Sequence, residues 1–185
     1  MVKEILRESE DKMHKAVDVV RHELIKIRTG KANTGLIEGL KVEYYGSLMP
    51  LQQVANSSVL DAHTLTITPW DKSALDAIQK TIQTANLGLN PVKDADHIRV
   101  PIPPLNEERR RELVKVTRKF GEEGKIAIRN VRRDTIEHLK KSEKAEHFSE
   151  DERKRAEAEV QKLTDRMIKD IDNLLAGKEK EIMEV

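Results

Sequence analysis

The sequence predicts an α+β protein of two domains, a long three-helix bundle interrupted by a small β/α/β domain. Three observations support this fold class. The outer parts of the chain, 1–29 and 106–185, are rich in charge and carry apolar residues at intervals of three and four. The middle, 30–105, has only six Lys or Arg and seven Asp or Glu but contains all six prolines. Its short apolar runs alternate with a period of two, which is typical of strands.

The first helix is predicted over 2–29, with Gly30 ending it. Its apolar residues recur at helical intervals and form one stripe that can pack against other helices. The stripe consists of Leu6, Met13, Val17, Val20, Leu24 and Ile27.

The middle segment predicts three strands and one helix, inserted into the bundle. The strands lie in LKVEYYG, which turns at Gly46-Ser47, in HTLTITPW and in DHIRVPIPP, and the helix lies in DKSALDAIQKTIQTANLG. The chain leaves the bundle near Gly30 and returns near Leu105, so we expect an elongated molecule with a restricted hinge at 30–31 and 103–106. The hinge residues would be Gly30, Lys31, Pro103, Pro104, Leu105 and Asn106.

The second helix is predicted to start after Asn106, a suitable N-cap, and to run to about residue 146. Its predicted core stripe is Leu113, Val116, Phe120, Ala127, Val131 and Thr135. Ser149, with Glu152 three residues later, has the signature of a capping box that begins a third helix. The stripe of that helix is Ala156, Val160, Leu163, Met167, Ile171 and Leu174. A short connector makes the second and third helices antiparallel neighbours.

The composition excludes several function classes. The chain has no cysteine, a net charge of +1 and no apolar run long enough to span a membrane or serve as a signal, so we expect a soluble cytoplasmic protein. No catalytic constellation or cofactor motif is present, and we expect neither an enzyme nor a bound cofactor. Asp94, Asp96 and His97 could bind a metal, but a turn before a strand explains them better.

The segment GKIAIRNVRRD, residues 124–134, places its basic and apolar side chains on different faces of the second helix. The basic face collects Lys125, Arg129, Arg132 and Arg133 within an arc of about 100°. Acidic residues of the same helix fall mostly on another face, which leaves the arginines few partners. This pattern favours binding of a polyanion such as structured RNA, whereas an ordinary salt-bridged surface is the alternative.

Gly121 and Gly124 lie inside the second helix, where each costs up to about 1 kcal/mol relative to Ala. They fall on or beside the core face. The sequence leaves two explanations, the close approach of a partner helix or a local bend.

Five segments together resemble the bacterial ribosome recycling factor family: KIRTGKANTGLIEGLKVEYYG, ANLGLNP, IRVPIPPLNEERR, IAIRNVRRD and QKLTD. The resemblance covers the whole chain in the same order. It implies an L-shaped fold, with the bundle and the small domain joined by a two-stranded hinge. It also implies a non-enzymatic factor that binds the post-termination ribosome. With elongation factor G and the GTP hydrolysis of that partner, such a factor splits the ribosome into subunits.

The resemblance further implies partners and contact residues. The bundle would bind ribosomal RNA of the large subunit as a monomer, through Arg110, Arg129 and Arg132, with Arg133 in the same motif and Arg28 beside the hinge. Two other functions remain open from the residues alone. One is a coiled-coil adaptor that uses the acidic face, and the other is an RNA chaperone without preference for ribosomes.

Overall fold

A computed structural model of the chain describes residues 1–145 and 147–184. In chain order its helices and strands are α1 (Val2–Ile25), β1 (Lys41–Tyr44), β2 (Ser47–Pro50), α2 (Leu51–Val54), β3 (Ala55–Asp61), β4 (Thr64–Pro69), α3 (Leu75–Thr84), β5 (Val92–Lys93), β6 (Ile98–Pro101), α4 (Glu107–Lys144) and α5 (Glu150–Met183). The chain divides into two compact units. The helical unit is Met1–Ile27 with Arg110–Val185, and the small unit is Arg28–Arg109.

The helical unit consists of α1, α4 and α5, packed side by side. The hydroxyl oxygens of Thr135 in α4 and Ser9 in α1 lie 3.0 Å apart and share a hydrogen bond. Arg118 Nε of α4 donates to Glu179 Oε1 of α5 at 2.8 Å, and Lys125 Nζ lies 2.5 Å from Asp172 Oδ1. Residue numbers therefore rise along α4 while they fall along α5, so these helices are antiparallel, as predicted.

Both predicted helix starts have the expected caps. Asn106 Oδ1 accepts a hydrogen bond of 2.7 Å from the backbone nitrogen of Arg109 at the start of α4. At the start of α5, Ser149 and Glu152 form both hydrogen bonds of the capping box. These side chains satisfy backbone N–H groups that a helix start leaves without partners.

The predicted core stripe of the second helix is wrong at four of its six positions, whereas Leu113 and Thr135 are buried as predicted. Val116 is 39% exposed, and Phe120, Ala127 and Val131 are only half-buried. The buried residues of α4 are Leu113, Thr117, Gly121, Gly124, Ile128, Thr135, Leu139 and Ser142. The prediction followed the larger apolar residues, whereas α4 turns a stripe rich in Gly, Thr and Ser toward its neighbours because small residues permit a close approach.

The core stripe of the third helix and the end of the first helix also need correction. Leu163 and Leu174 of α5 are half-buried, and Thr164 is buried instead. In the first helix, predicted to reach residue 29, α1 already ends at Ile25. The next residues, Lys26 and Ile27, still belong to the helical unit, and the small unit begins at Arg28.

The two glycines of α4 lie where side chains of neighbouring helices pack against its backbone. A Cβ on Gly124 would contact Val20 Cγ2 of α1 and lie 3.1 Å from Ile171 Cδ1 of α5. A Cβ on Gly121 would lie 2.8 Å from Leu175 Cδ2. Close packing by side chains of the partner helices therefore accounts for both glycines.

The small unit contains a β1–β2 hairpin and an antiparallel sheet of order β3-β4-β6-β5. The hairpin turns at Tyr45 and Gly46, whose φ angles are 49° and 78°, one residue earlier than predicted; this backbone suits a two-residue hairpin turn. Its core combines the sheet, α3 and neighbouring segments, with fully buried side chains that include Ile37, Val42, Leu51, Leu65, Ile67, Ile78, Ile82, Ile98 and Val100.

The predicted strands correspond to β1, β4 and β6, and the predicted helix to α3. The strands β2, β3 and β5 were missed. In β3 only Ala55 is buried, because this strand lies at the edge of the sheet and presents polar residues and exposed Val59 and Leu60 to solvent. A strand of this kind lacks the alternation on which the prediction depended.

The turn between β3 and β4 binds both segments by which the chain enters and leaves the small unit. Ala32 N donates to Ala62 O at 2.8 Å, and Ile102 N donates to His63 O at 2.7 Å. His63 Nδ1 also lies 2.8 Å from the carbonyl oxygen of Gly30. The two segments are therefore held side by side within this unit.

Replacing Gly124 by Ala should destabilise the protein by about 1–3 kcal/mol, because the added methyl group overpacks against buried, β-branched Val20. The measurement is urea unfolding followed by circular dichroism. Gly177→Ala is the matched control: this residue lies in α5, and no atom lies within 4 Å of the position of its Cβ. That control should stabilise by about 0.5–1 kcal/mol. Equal stability of the two variants would show that the packing at Gly124 imposes no constraint.

Tyr44 should stay protonated at about pH 11, because its hydroxyl donates a 2.9 Å hydrogen bond to Asp71 Oδ2, which raises the pKa of Tyr44 to about 12. The folded-state pKa is raised, so the stabilisation is complete below the unfolded value of about 10 and is lost as pH rises through about 12. Ultraviolet titration of a Tyr45→Phe variant, which retains Tyr44 as its only tyrosine, measures this. Adding Asp71→Asn should lower the pKa, and an unchanged titration would contradict the assignment.

Candidate nucleic-acid interface

Arg129, Arg132 and Arg133, hereafter the arginine cluster, lie on successive turns of α4. Arg129 and Arg133 are exposed, and Arg132 is half-buried. Helical spacing of three and four residues places the three guanidinium groups on neighbouring parts of one surface. None of them forms an ion pair with any residue that the structure describes. The cluster thus concentrates positive charge on a protein of nearly zero net charge.

Two members of the arginine cluster are held by amide side chains. Arg132 Nε donates to Gln161 Oε1 of α5 at 2.8 Å. Arg133 Nη2 donates to Asn130 Oδ1, three residues earlier in α4, at 3.0 Å. Each bond orders a guanidinium group and leaves other N–H donors of that group available.

Two other cations of α4, Arg118 and Lys125, have carboxylate partners on α5. Arg118 pairs with Glu179, and this hydrogen bond raises the pKa of Arg118 above its ordinary value. The side chain of Lys125 is only 15% exposed and pairs with Asp172. Lys125 is covered because the core stripe of α4 lies closer to it than predicted. Glu122 of α4 also lies 3.7 Å from Lys125 Nζ, and the neighbouring helix supplies the closer partner, Asp172.

Arg110 lies near the start of α4, about 28 Å from Arg129 at 1.5 Å per residue. Its side chain is half-buried, and its Nε is buried without a hydrogen-bond partner in the described structure. Arg110 therefore belongs to the helix of the arginine cluster but is not adjacent to it.

Arg28 belongs to the small unit and is half-buried there. Its Nη1 donates to the carbonyl oxygen of Leu87 and lies 3.4 Å from the position of a Cβ on Gly88. This geometry gives Arg28 a structural role, since it ties the segment after α1 to the loop after α3.

The predicted hinge residues have different environments. Gly30 has a φ of 77°, and a Cβ on it would lie 3.2 Å from Leu105 N. Pro103 and Pro104 are exposed, whereas Lys31 is half-buried. Glycine is required at position 30 both by its positive φ and by the proximity of the outgoing segment.

The residues DADH form an internally paired turn. His97 Nδ1 lies 2.7 Å from Asp96 Oδ1, a bond that lowers the pKa of Asp96. His97 Nε2 lies 3.1 Å from Asp94 Oδ2, which also accepts from Arg99 Nε at 2.7 Å. Among the described residues, no three His, Asp or Glu side chains are grouped to hold a metal ion.

No helix in the described part of the chain combines the length and apolarity that crossing a membrane requires.

Sequence reasoning missed Gln161 and Asn130 as partners of the arginine cluster. Asn130 could have been found from its spacing, since it lies three residues before Arg133 on one helix. Gln161 lies on another helix, and its position opposite Arg132 depends on the register between α4 and α5. The motif QKLTD, which begins with this glutamine, was the available signal.

Together, the fold and the surface define a two-unit protein whose helical bundle carries an exposed, arginine-rich face. The family model for ribosome recycling factors matches residues 20–183. The chain therefore belongs to the ribosome recycling factor family.

Curated relatives match along their full length. The ribosome-recycling factor of Symbiobacterium thermophilum is 54% identical over 185 residues, which cover 100% of both chains. That of Chlorobium luteolum is 52% identical over 184 residues, 100% of this chain and 99% of the relative.

Two solved structures are similar to the whole chain. A ribosome recycling factor determined in solution has a TM-score of 0.80 at 46% identity, covering 100% of this chain and 98% of the other. The second is the Thermus thermophilus factor, placed with Escherichia coli elongation factor G on the Escherichia coli post-termination complex. It has a TM-score of 0.68 at 48% identity and covers 100% of both chains.

Proposed function

We propose that this protein binds the ribosome after termination and, with elongation factor G and its GTP hydrolysis, splits the ribosome into subunits and frees it from mRNA. Membership of the family supports the assignment. The similar Thermus thermophilus factor on a post-termination complex with elongation factor G supports both partners. The protein itself supplies binding and movement, as a monomer, and the translocase supplies the hydrolysis.

The observation that carries the proposal is the arginine cluster, which is at least partly exposed and forms no ion pair in the described structure. A planar guanidinium can donate two parallel hydrogen bonds to a phosphate, and such charge-assisted bonds are strong. We assign these arginines to the backbone of ribosomal RNA in the large subunit. Arg110 would add a separate contact near the start of α4.

We assign to the small unit the movement that accompanies splitting. Pro103 and Pro104 restrict the segment by which the chain leaves the small unit, and Gly30 lies on the segment by which it enters. The translocase would push the small unit while the arginine cluster keeps the helical unit attached to the large subunit. Arg28, bonded to Leu87, contributes to this function chiefly by ordering the small unit next to the hinge.

Replacing Arg129 or Arg132 by Ala should weaken binding to isolated large subunits by about 1–3 kcal/mol, because each variant removes one charge-assisted hydrogen-bonding group. The slope of log K against log salt should fall by about 0.7–0.9 for each phosphate that the variant no longer neutralises. The measurement is binding to large subunits at several salt concentrations, with circular dichroism confirming the helical content. Arg118→Ala is the matched control on α4 and should change affinity less, because Glu179 already neutralises that guanidinium.

The same titration distinguishes anchoring to ribosomal RNA from the two other functions, a protein adaptor and an RNA chaperone. Wild-type affinity in both cluster variants would refute the anchoring role and favour a protein adaptor. Equal affinity of the wild type for bulk duplex RNA and for large subunits would favour an RNA chaperone instead.

Replacing Pro103 and Pro104 together by Gly should leave binding to the large subunit unchanged and slow splitting. Glycine removes the fixed φ of proline, so a push on the small unit is transmitted less effectively. The measurement is light scattering of post-termination ribosomes with elongation factor G and GTP. Splitting at the wild-type rate would exclude control by these two prolines.

A further inference from the structure

Three cations of α4 lie seven residues apart on the edge that faces α5: Arg118, Lys125 and Arg132. The first two meet carboxylates, Glu179 and Asp172, which are themselves seven residues apart. In an antiparallel pair, each step of seven along α4 corresponds to a step of seven back along α5. The same register therefore places a third carboxylate, Asp165, opposite Arg132.

Arg132 nevertheless bonds to Gln161 instead of Asp165. Its Nε donates to Gln161 Oε1 at 2.8 Å, and Gln161 Nε2 donates to Asp165 Oδ1 at 2.9 Å. The carboxylate fixes the orientation of the amide, because only the NH₂ end can donate to Asp165 and the oxygen must then face Arg132. Gln161 thus stands between a cation and the anion that the register supplies.

The hydrogen-bond partner of Arg132 determines how much of its positive charge is available to bind a phosphate. A carboxylate would neutralise the guanidinium, as Glu179 does at Arg118, whereas an amide oxygen orders it and leaves its full positive charge. Because the bond uses Nε, both terminal NH₂ groups stay available for a phosphate. Asn130 gives Arg133 a neutral partner of the same kind.

We propose that Gln161 is a positioning residue for RNA binding: it holds the guanidinium of Arg132 in place while keeping it out of an ion pair with Asp165. The inference rests on the proposed function of Arg132 as a phosphate ligand. It gives the QKLTD motif of α5 a role in binding, although Gln161 itself need not touch RNA.

The test uses Gln161→Met, which keeps the length and helix preference of the side chain but loses the amide. Arg132 is then free to pair with Asp165. Binding to isolated large subunits should weaken about three- to tenfold, the effect of losing the order of one long side chain, and the salt slope should fall toward that of Arg132→Ala. Adding Asp165→Asn to Gln161→Met should restore most of the salt slope, because no carboxylate remains to capture the arginine.

Two further variants make the outcomes distinguishable. In an Arg132→Ala background, Gln161→Met should cause no further loss, since the residue acts through Arg132. Asn173→Ala, an exposed amide on the same helix, should bind like the wild type.

Wild-type binding of Gln161→Met, when Arg132→Ala is weak, would overturn the inference and leave the proposed function standing. An additional loss in the Arg132→Ala background would also overturn it, by showing that Gln161 acts independently. Wild-type binding of Arg132→Ala would instead remove the proposed function of that arginine.

Discussion

The packing of neighbouring side chains against Gly121 and Gly124 is the constraint that sets the position of α4 in the helical unit. Because these positions lack a Cβ, Val20 of α1 and Leu175 of α5 approach the backbone of α4 directly. That proximity limits both sliding and rotation of α4 against its neighbours, since packed cores tolerate little change in volume. The register in turn decides which side chain of α5 meets each cation along the facing edge of α4.

A protein with 34 basic and 33 acidic residues can present a strongly basic surface only by distributing its ion pairs unevenly. At Arg118 and Lys125 the acids of α5 neutralise the cations and join two helices. At the arginine cluster the nearest bonded partners are amides, so positive charge is concentrated there. Pairing across the helix interface therefore shapes the electrostatic surface as much as composition does.

Much of the fold follows from local signals in the sequence. Asn106 and Ser149 are caps whose chemistry acts within four residues, and the alternation in β4 reflects one buried face. The core stripe of α4 was placed incorrectly because hydrophobicity favours Phe120 and Val131, whereas packing here rewards small side chains. The edge strand β3 carries no alternation, since neither of its faces is extensively buried.

The candidate surface was partly predictable because part of its geometry is local to one helix. Periodicity alone places Arg129, Arg132 and Arg133 on one side of a helix, because that depends only on 3.6 residues per turn. Their partners depend on the neighbouring helix, whose register is a property of the folded bundle. The family resemblance supplied the identity of the polyanion, which charge alone leaves unspecified.

The hydrogen bonds that hold Gly30, Ala32 and Ile102 at one turn of the small unit also bear on how the chain folds. Before the small unit forms, α1 can meet α4 only by closing a loop of 76 residues, 30–105. Once it has formed, the two ends are already adjacent, and the effective loop is roughly ten times shorter. The entropy of closure scales with the logarithm of loop length, so the cost of assembling the bundle falls by about 2 kcal/mol. The inserted unit thereby turns a slow, non-local encounter into a nearly local one.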